Sequence, residues 1–258
     1  MTEIAISNPI DGSGMLRKLA LVAIAALSLG GIARAAEGGG MEPANVRVDN
    51  TASVQRGARL FFNYCSGCHS LQYMRYSRIG EDLMLDEKDV TDSLIFTSAK
   101  IGDRAVNNMP AAQSAAWFGK TPPDLTLEAR AKGADWIYNY LRSFYLDSSR
   151  PLGWNNTVFP NASMPNALWE LQGLQVADKH PAKEGGEPAV EKLEIRTPGR
   201  LSAGQYDQAV RDITAFLEYA GEPAALKRTS IGVWVLLYLA LFTFIAYLLK
   251  HEYWKDVH

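Results

Sequence analysis

Apolar residues recur at helical spacing in two stretches that lie far apart in the chain. In TASVQRGARLFFNYC (51–65) they are Val54, Ala58, Phe61 and Phe62. In SAGQYDQAVRDITAFLEYA (202–220) they are Tyr206, Ala209, Val210, Ile213, Phe216 and Leu217. Each spacing predicts an amphipathic helix that buries one stripe. Thr51 or Ser53 is the expected N-cap of the first helix and Ser202 that of the second, which Gly221 and Pro223 end. Between them, DVTDSLIFTSAK (89–100) reads as a helix, and LTLEARAK (125–132) and ADWIYNYLRSFY (134–145) read as two more, separated by Gly133. LWELQGLQVAD (168–178) and AVEKLEIRTPG (189–199) read as a strand pair around the polar insert KHPAKEGGEP (179–188). Elsewhere the periodicity fails. Residues 36–50 read as a loose arm, 103–126 as mostly loop broken at Pro122-Pro123, and the proline-rich segment 150–171 as an irregular loop.

Two further stretches are apolar without any polar face. MLRKLALVAIAALSLGGIARA (15–35) begins with Arg17 and Lys18, continues through a short apolar core and ends on Ala33-Arg34-Ala35. This is the pattern of a cleavable export signal, and its apolar run is short for a membrane span. Residues 1–35 are therefore expected to be removed, with Met15 a possible start. SIGVWVLLYLALFTFIAYLL (230–249) contains no charge and, at about 1.5 Å per residue, is long enough to cross the ~30 Å hydrocarbon core. Lys227 and Arg228 precede it, Lys250 and His251 follow, and Trp234, Tyr238, Tyr247, Tyr253 and Trp254 supply interfacial aromatics. The domain plan is a signal at 1–35, an exported domain at 36–228, a transmembrane helix at 229–250 and a tail at 251–258. The export signal places the body in the periplasm of a bacterial inner membrane, with the tail in the cytoplasm.

Composition narrows the function. The 258 residues are 47% hydrophobic and 21% charged, enough for one sizeable core. Formal net charge is −2, and removing residues 1–35, with three basic and two acidic residues, leaves −3. That gives no electrostatic footing for a nucleic-acid partner. The acidic run GEDLMLDEKDVTD (80–92) reads first as a solvated face and second as a docking face.

The chain has two cysteines, both within NYCSGCHSL (63–71). Zinc requires four ligands, and beyond the two thiols the chain offers only the distant His180, His251 and His258, since His69 abuts Cys68 too closely. A thiol–disulfide switch calls for a βαβ context that does not precede the motif. Cys65-Ser66-Gly67-Cys68-His69 fits a covalent haem better, with two thioether anchors and the adjacent histidine as proximal ligand. For a sixth ligand, Met74 and Met84 lie close to the attachment site. Met109 and Met164 each precede a proline in a loop, and the residues alone do not choose between them. His180 keeps bis-histidine ligation formally open.

Three motifs in order, RGARLFFNYCSGCHSLQYMRYSRIG (56–80), TPPDLTLEARAKG (121–133) and WNNTVFPNASMPNALWE (154–170), followed by a C-terminal anchor, resemble the cytochrome c1 family of proteobacterial type. That family is the haem subunit of the ubiquinol–cytochrome c reductase (cytochrome bc1) complex. The resemblance covers nearly the whole mature chain. It implies a mainly α, class I cytochrome c-like haem domain with loop insertions, a small strand pair and one transmembrane helix. It implies one haem c on Cys65 and Cys68, with iron held by His69 and Met164, and Pro122 and Pro123 at the haem edge. Arg130 would lie near the propionates, with lysine rather than the family's arginine at Lys132. It also implies that the first and last domain helices cross, with Gly57 allowing close approach beside Phe61, Ile213 and Phe216. The implied activity is transfer of single electrons from a Rieske iron–sulfur protein to a cytochrome c, beside cytochrome b and membrane lipid, with no acid–base site in this chain. A membrane-anchored cytochrome c feeding a terminal oxidase and a haem sensor with an open sixth position are the alternative functions.

Overall fold

The computed structural model describes residues 41–179 and 190–256. The expected signal, the first residues of the arm, His180 with most of the polar insert, and His258 lie outside the described residues. The elements run α1 (Thr51–Tyr64), β1 (Leu71–Arg75), α2 (Tyr76–Leu83), α3 (Glu87–Leu94), β2 (Arg104–Ala105), α4 (Ala111–Phe118), α5 (Glu128–Lys132) and α6 (Ala134–Arg142). They continue with β3 (Phe144–Leu146), β4 (Trp154–Asn156), α7 (Trp169–Gln172), β5 (Gly173–Lys179), β6 (Val190–Pro198), α8 (Ala203–Gly221) and α9 (Ala225–Tyr253). The chain is thus mainly helical, with strands confined among the described residues to three antiparallel pairs, β1–β2, β3–β4 and β5–β6. One pair, β5–β6, is the expected hairpin.

The two long amphipathic helices cross as the core of the domain. α1 is capped by Asn50, whose side chain accepts from the Ser53 amide, rather than by Thr51 or Ser53. An asparagine one residue earlier offers the same oxygen without giving up a helical residue. α8 starts with a capping box between Ser202 and Gln205, as the sequence indicates. At the crossing, a Cβ on Gly57 would lie 1.9 Å from the Asp212 carbonyl oxygen, so the two backbones meet where no side chain fits. Phe61, fully buried, sits with its ring centroid 5.3 Å from Phe62 and 5.4 Å from Phe216, a contact range favourable for tilted and edge-on aromatics. Asp212, buried beneath the crossing, accepts from Ser53 Oγ at 2.6 Å and from Arg56 Nε at 2.7 Å, which satisfies a carboxylate that burial alone would penalise.

Several sequence expectations are corrected. Residues 103–126 are not mostly loop, since AAQSAAWF forms α4. Pro110 precedes its alanine-rich first turn and Gly119, at φ 77°, ends it in the left-handed region. The helix expected over 89–100 is α3, which begins earlier and ends at Leu94. Asp86 caps it by accepting from the Asp89 amide at 2.7 Å. Much of the acidic run is therefore occupied locally, with Asp82 accepting from Arg78 and from the Tyr219 hydroxyl and Lys88 paired with Asp92. Residues 169–172 are helical instead of starting the strand, because Gly173 (φ 99°) turns the chain into β5 only after them. α9 extends four residues beyond the apolar run at its C-terminal end; its segment Ser230–Tyr253 is 24 residues long and unburied.

Candidate functional site

The Cys65–His69 segment is the continuation of α1. The Cys65 and Ser66 amides both donate to the Phe61 carbonyl, and the Cys68 and His69 amides both donate to the Cys65 carbonyl, at 2.8–3.1 Å. These bonds wind the chain through one more turn, so Cys65, Cys68 and His69 gather at the end of the helix. Ser70 and Asn107 brace the exit. Asn107 Nδ2 donates to the Cys68 carbonyl at 2.5 Å, its amide donates to Ser70 Oγ, and the Leu125 amide donates to the Ser70 carbonyl. Asp124 of the P-P-D-L turn accepts from the Gln72 amide at 2.7 Å and from the Thr126 amide at 3.0 Å, which pins that turn against β1. Asn107 was not singled out by sequence. Its signal was weak, an ordinary turn residue far from the motif.

The pinned turn orients the histidine. His69 Nδ1 lies 2.8 Å from the Pro123 carbonyl oxygen, which can only accept, so Nδ1 carries the proton and Nε2 keeps its lone pair. Burial pushes the imidazole below its usual pKa, against the opposing pull of the Pro123 carbonyl and of Asp124 and Glu128. The ring is therefore neutral and a competent metal ligand. Burial, helped by Cys68, pushes the Cys65 thiol up to about 12, and burial raises Cys68 as well. Neither sulfur has the depressed pKa of a redox or zinc thiolate. Among the described residues, no third Cys, His, Asp or Glu joins them in a metal-holding group.

Cys65, Cys68 and His69 line a cleft of about 280 Å³ whose far wall includes Met164, and whose sides are largely apolar. Pro122 and Pro123 line it, as do Ile213 and Leu217 of α8. Met164 is presented by the loop after β4. Asn156 Oδ1 accepts from the Val158 and Phe159 amides, Asn156 Nδ2 donates to the Tyr140 carbonyl, and Asn155 Oδ1 accepts from the Asn161 amide. The Tyr140 hydroxyl donates to Met164 Sδ at 3.6 Å, and burial pushes that phenol up to about 12.

The other candidates lie elsewhere. Met109 does not line the cleft, Met74 is buried in the core beneath β1, and Met84 is 77% exposed. His251 is exposed near the end of α9. Arg130 is not among the lining residues either; its aliphatic stem lies against Gly221, where a Cβ would come within 3.1 Å of Cγ. Lys132 does line the cleft, with its ammonium 5.6 Å from the Trp136 ring centroid, and so does Lys120, over Phe159 at the same distance. Two thiols on one rim, a neutral imidazole with a free Nε2 and a thioether across apolar walls form a donor set that fits a covalently held haem.

Comparison with known proteins agrees with that chemistry. A profile described as "Cytochrome C1 family" matches residues 46–186 and 200–257. The chain is 50% identical to cytochrome c1 of Allochromatium vinosum, over 94% of this chain and all of that protein. It is 42% identical to a protein named ammonia monooxygenase gamma subunit from Nitrosomonas europaea, over 80% of this chain and 84% of the other. It is 29% identical to cytochrome c1 of Rhodospirillum rubrum, over 93% and 97%.

Proposed function

The chain belongs to the cytochrome c1 family, and on that footing we propose that it relays single electrons from a Rieske iron–sulfur protein to a cytochrome c within ubiquinol–cytochrome c reductase. Cytochrome c1 is the haem subunit of the bc1 complex, which also contains cytochrome b and the Rieske protein. The chain carries one haem c, on Cys65 and Cys68, and is membrane anchored. The reading extends the C-terminal anchor to residues 229–250, places residues 36–228 in the periplasm after removal of 1–35, and leaves 251–258 in the cytoplasm. His69 and Met164 are its axial ligands.

When bound, haem c supplies a one-electron iron couple, which histidine–methionine ligation sets higher than bis-histidine ligation does. The residues of this chain supply the rest. Cys65 and Cys68 fix position by two thioether bonds. The Pro123 carbonyl holds the proximal ring in the tautomer that presents Nε2 to the cleft. Pro122, Ile213 and Leu217 line the cleft with apolar surface that keeps water from competing for the ligand positions. No side chain in the cleft is required to move a proton.

The observation that carries the reading is the convergence of Cys65, Cys68, His69 and Met164 on one cleft from segments 95 positions apart. Two experiments test it. Mild-detergent purification is expected to bring cytochrome b and a Rieske protein along with the chain. Recovery with oxidase subunits, or with monooxygenase subunits as the name of the Nitrosomonas relative suggests, would replace the assembly. In the oxidised protein, Met164→Ala is expected to abolish the methionine-to-iron charge-transfer absorption and Met109→Ala to leave it. The reverse result would move the distal ligand to Met109.

A further inference from the structure

Tyr140 meets the distal wall twice. Its carbonyl accepts from Asn156 Nδ2 at 2.8 Å, at the point where the Met164 loop leaves β4, and its hydroxyl donates to Met164 Sδ at 3.6 Å, where the loop reaches the cleft. One residue of α6 therefore holds both ends of the ligand-bearing segment. Its ring is fixed in turn, stacked on Trp136 at 4.8 Å with an 11° interplanar angle and edge-on to Phe144 at 4.9 Å. The hydroxyl has no role in building the core, since the cleft wall would be equally apolar with phenylalanine there. A thioether sulfur has two lone pairs, and a metal takes one of them. The donor on Tyr140 is placed to engage the other.

We propose that Tyr140 is a positioning residue for the distal ligand: its hydroxyl occupies one lone pair of Met164 Sδ, orients the second into the cleft, and reduces the charge that the sulfur donates to ferric iron. This rests on Met164 being the distal ligand. A weaker donor stabilises ferric iron less, so the hydrogen bond raises the midpoint potential.

The test is a redox titration of the full-length holoprotein carrying Tyr140→Phe, which keeps the ring, its stacking and the main-chain carbonyl. The expected result is a charge-transfer band that persists and a midpoint potential shifted below that of the unsubstituted protein. An unchanged or raised potential overturns the proposal. Met164→Ala, measured alongside, separates the two claims. If it abolishes the band while Tyr140→Phe leaves the potential unchanged, the ligand assignment stands and the role of Tyr140 falls. If the band survives Met164→Ala, both fall. A second readout needs no variant: in the reduced, diamagnetic protein the Tyr140 hydroxyl proton is expected to exchange slowly and to show a nuclear Overhauser contact to the Met164 methyl. The absence of that contact also overturns the proposal.

Discussion

On the Cys65–His69 side of the cleft, main-chain bonds at the end of a long helix do the positioning; on the Met164 side, the amide side chains of Asn155 and Asn156 do it, across a loop without repeating structure. The proximal wall inherits its rigidity from α1 and from the crossing with α8. The distal wall has no helix behind its ligand and depends on a few buried hydrogen bonds, each modest alone and costly when left unmade. The two walls should therefore fail differently. Damage to the first removes the platform on which haem is attached. Damage to the second leaves the haem bonded to cysteine and frees only the sixth position.

Gly57→Ala tests the first wall and has the largest expected effect. The added carbon would sit 1.9 Å from the Asp212 carbonyl oxygen, and both backbones would have to separate. Overpacking of this kind costs on the order of 3 kcal/mol or more. Little holoprotein should accumulate, read as loss of haem-staining protein at the size of the chain. Normal haem staining would show that the crossing is not what supports the attachment site. Asn156→Ala tests the second wall. It removes three hydrogen bonds from a residue only 1% exposed, about 3 kcal/mol at roughly 1 kcal/mol each, and leaves two amides and a carbonyl searching for partners. The pyridine haemochrome signal should remain while the charge-transfer band weakens or melts out well below the global unfolding temperature. Loss of both signals together would mean that the walls are not independent.

This asymmetry also decides what was legible in the sequence. Cys65, Cys68 and His69 are five residues of local pattern, and the helix that presents them announces itself by Val54, Ala58, Phe61 and Phe62. The Gly57 crossing and the Ser202 cap were equally readable. The distal wall was not, because residues 150–171 have no period and their asparagines look like ordinary turn formers. Which of those amides fold back on the loop, and that Tyr140 waits on the neighbouring helix, depends on contacts between segments that spacing does not encode. Met164 itself came from resemblance to a family, while the residues left Met109 equally open. Helix α4 was hidden for another reason. Met109-Pro110 and Pro122-Pro123 drew the eye to loop, although the eight residues starting at Ala111 are good helix formers.

A smaller effect falls at the start of α1. Asn50→Ala removes the cap on the Ser53 amide and should cost about 1 kcal/mol, a shift of roughly 2–4 °C in unfolding temperature, with the haem spectrum unchanged. A spectral change would mean that the helix start is coupled to the cleft more tightly than the Cys65 turn suggests.

The smallest expected effect lies outside both walls, on the face of α6 that holds the N-terminal arm. Asp207 accepts from the Tyr138 hydroxyl and from Arg211 Nε at 2.8 Å, and Arg211 also donates to the Ala44 carbonyl of the arm. Burial pushes the Asp207 carboxyl up, but the hydrogen bonds from Tyr138 and Arg211 and the charges of Arg211 and Arg142 outweigh it and leave the group below the usual carboxylate range. A carboxyl with a lowered folded-state pKa contributes stability that is present above its unfolded value and is lost as the pH falls through its folded value. The clamp on the arm should therefore hold at neutral pH and loosen in acid, below about pH 4. Because Asp207 is 31% exposed, solvent screening keeps the contribution under about 1 kcal/mol. Asp207→Asn should lower stability slightly at pH 7 and flatten the acid limb of the stability–pH curve, with both cleft signals untouched. An acid limb as steep as that of the unsubstituted protein would place the titrating carboxylate elsewhere.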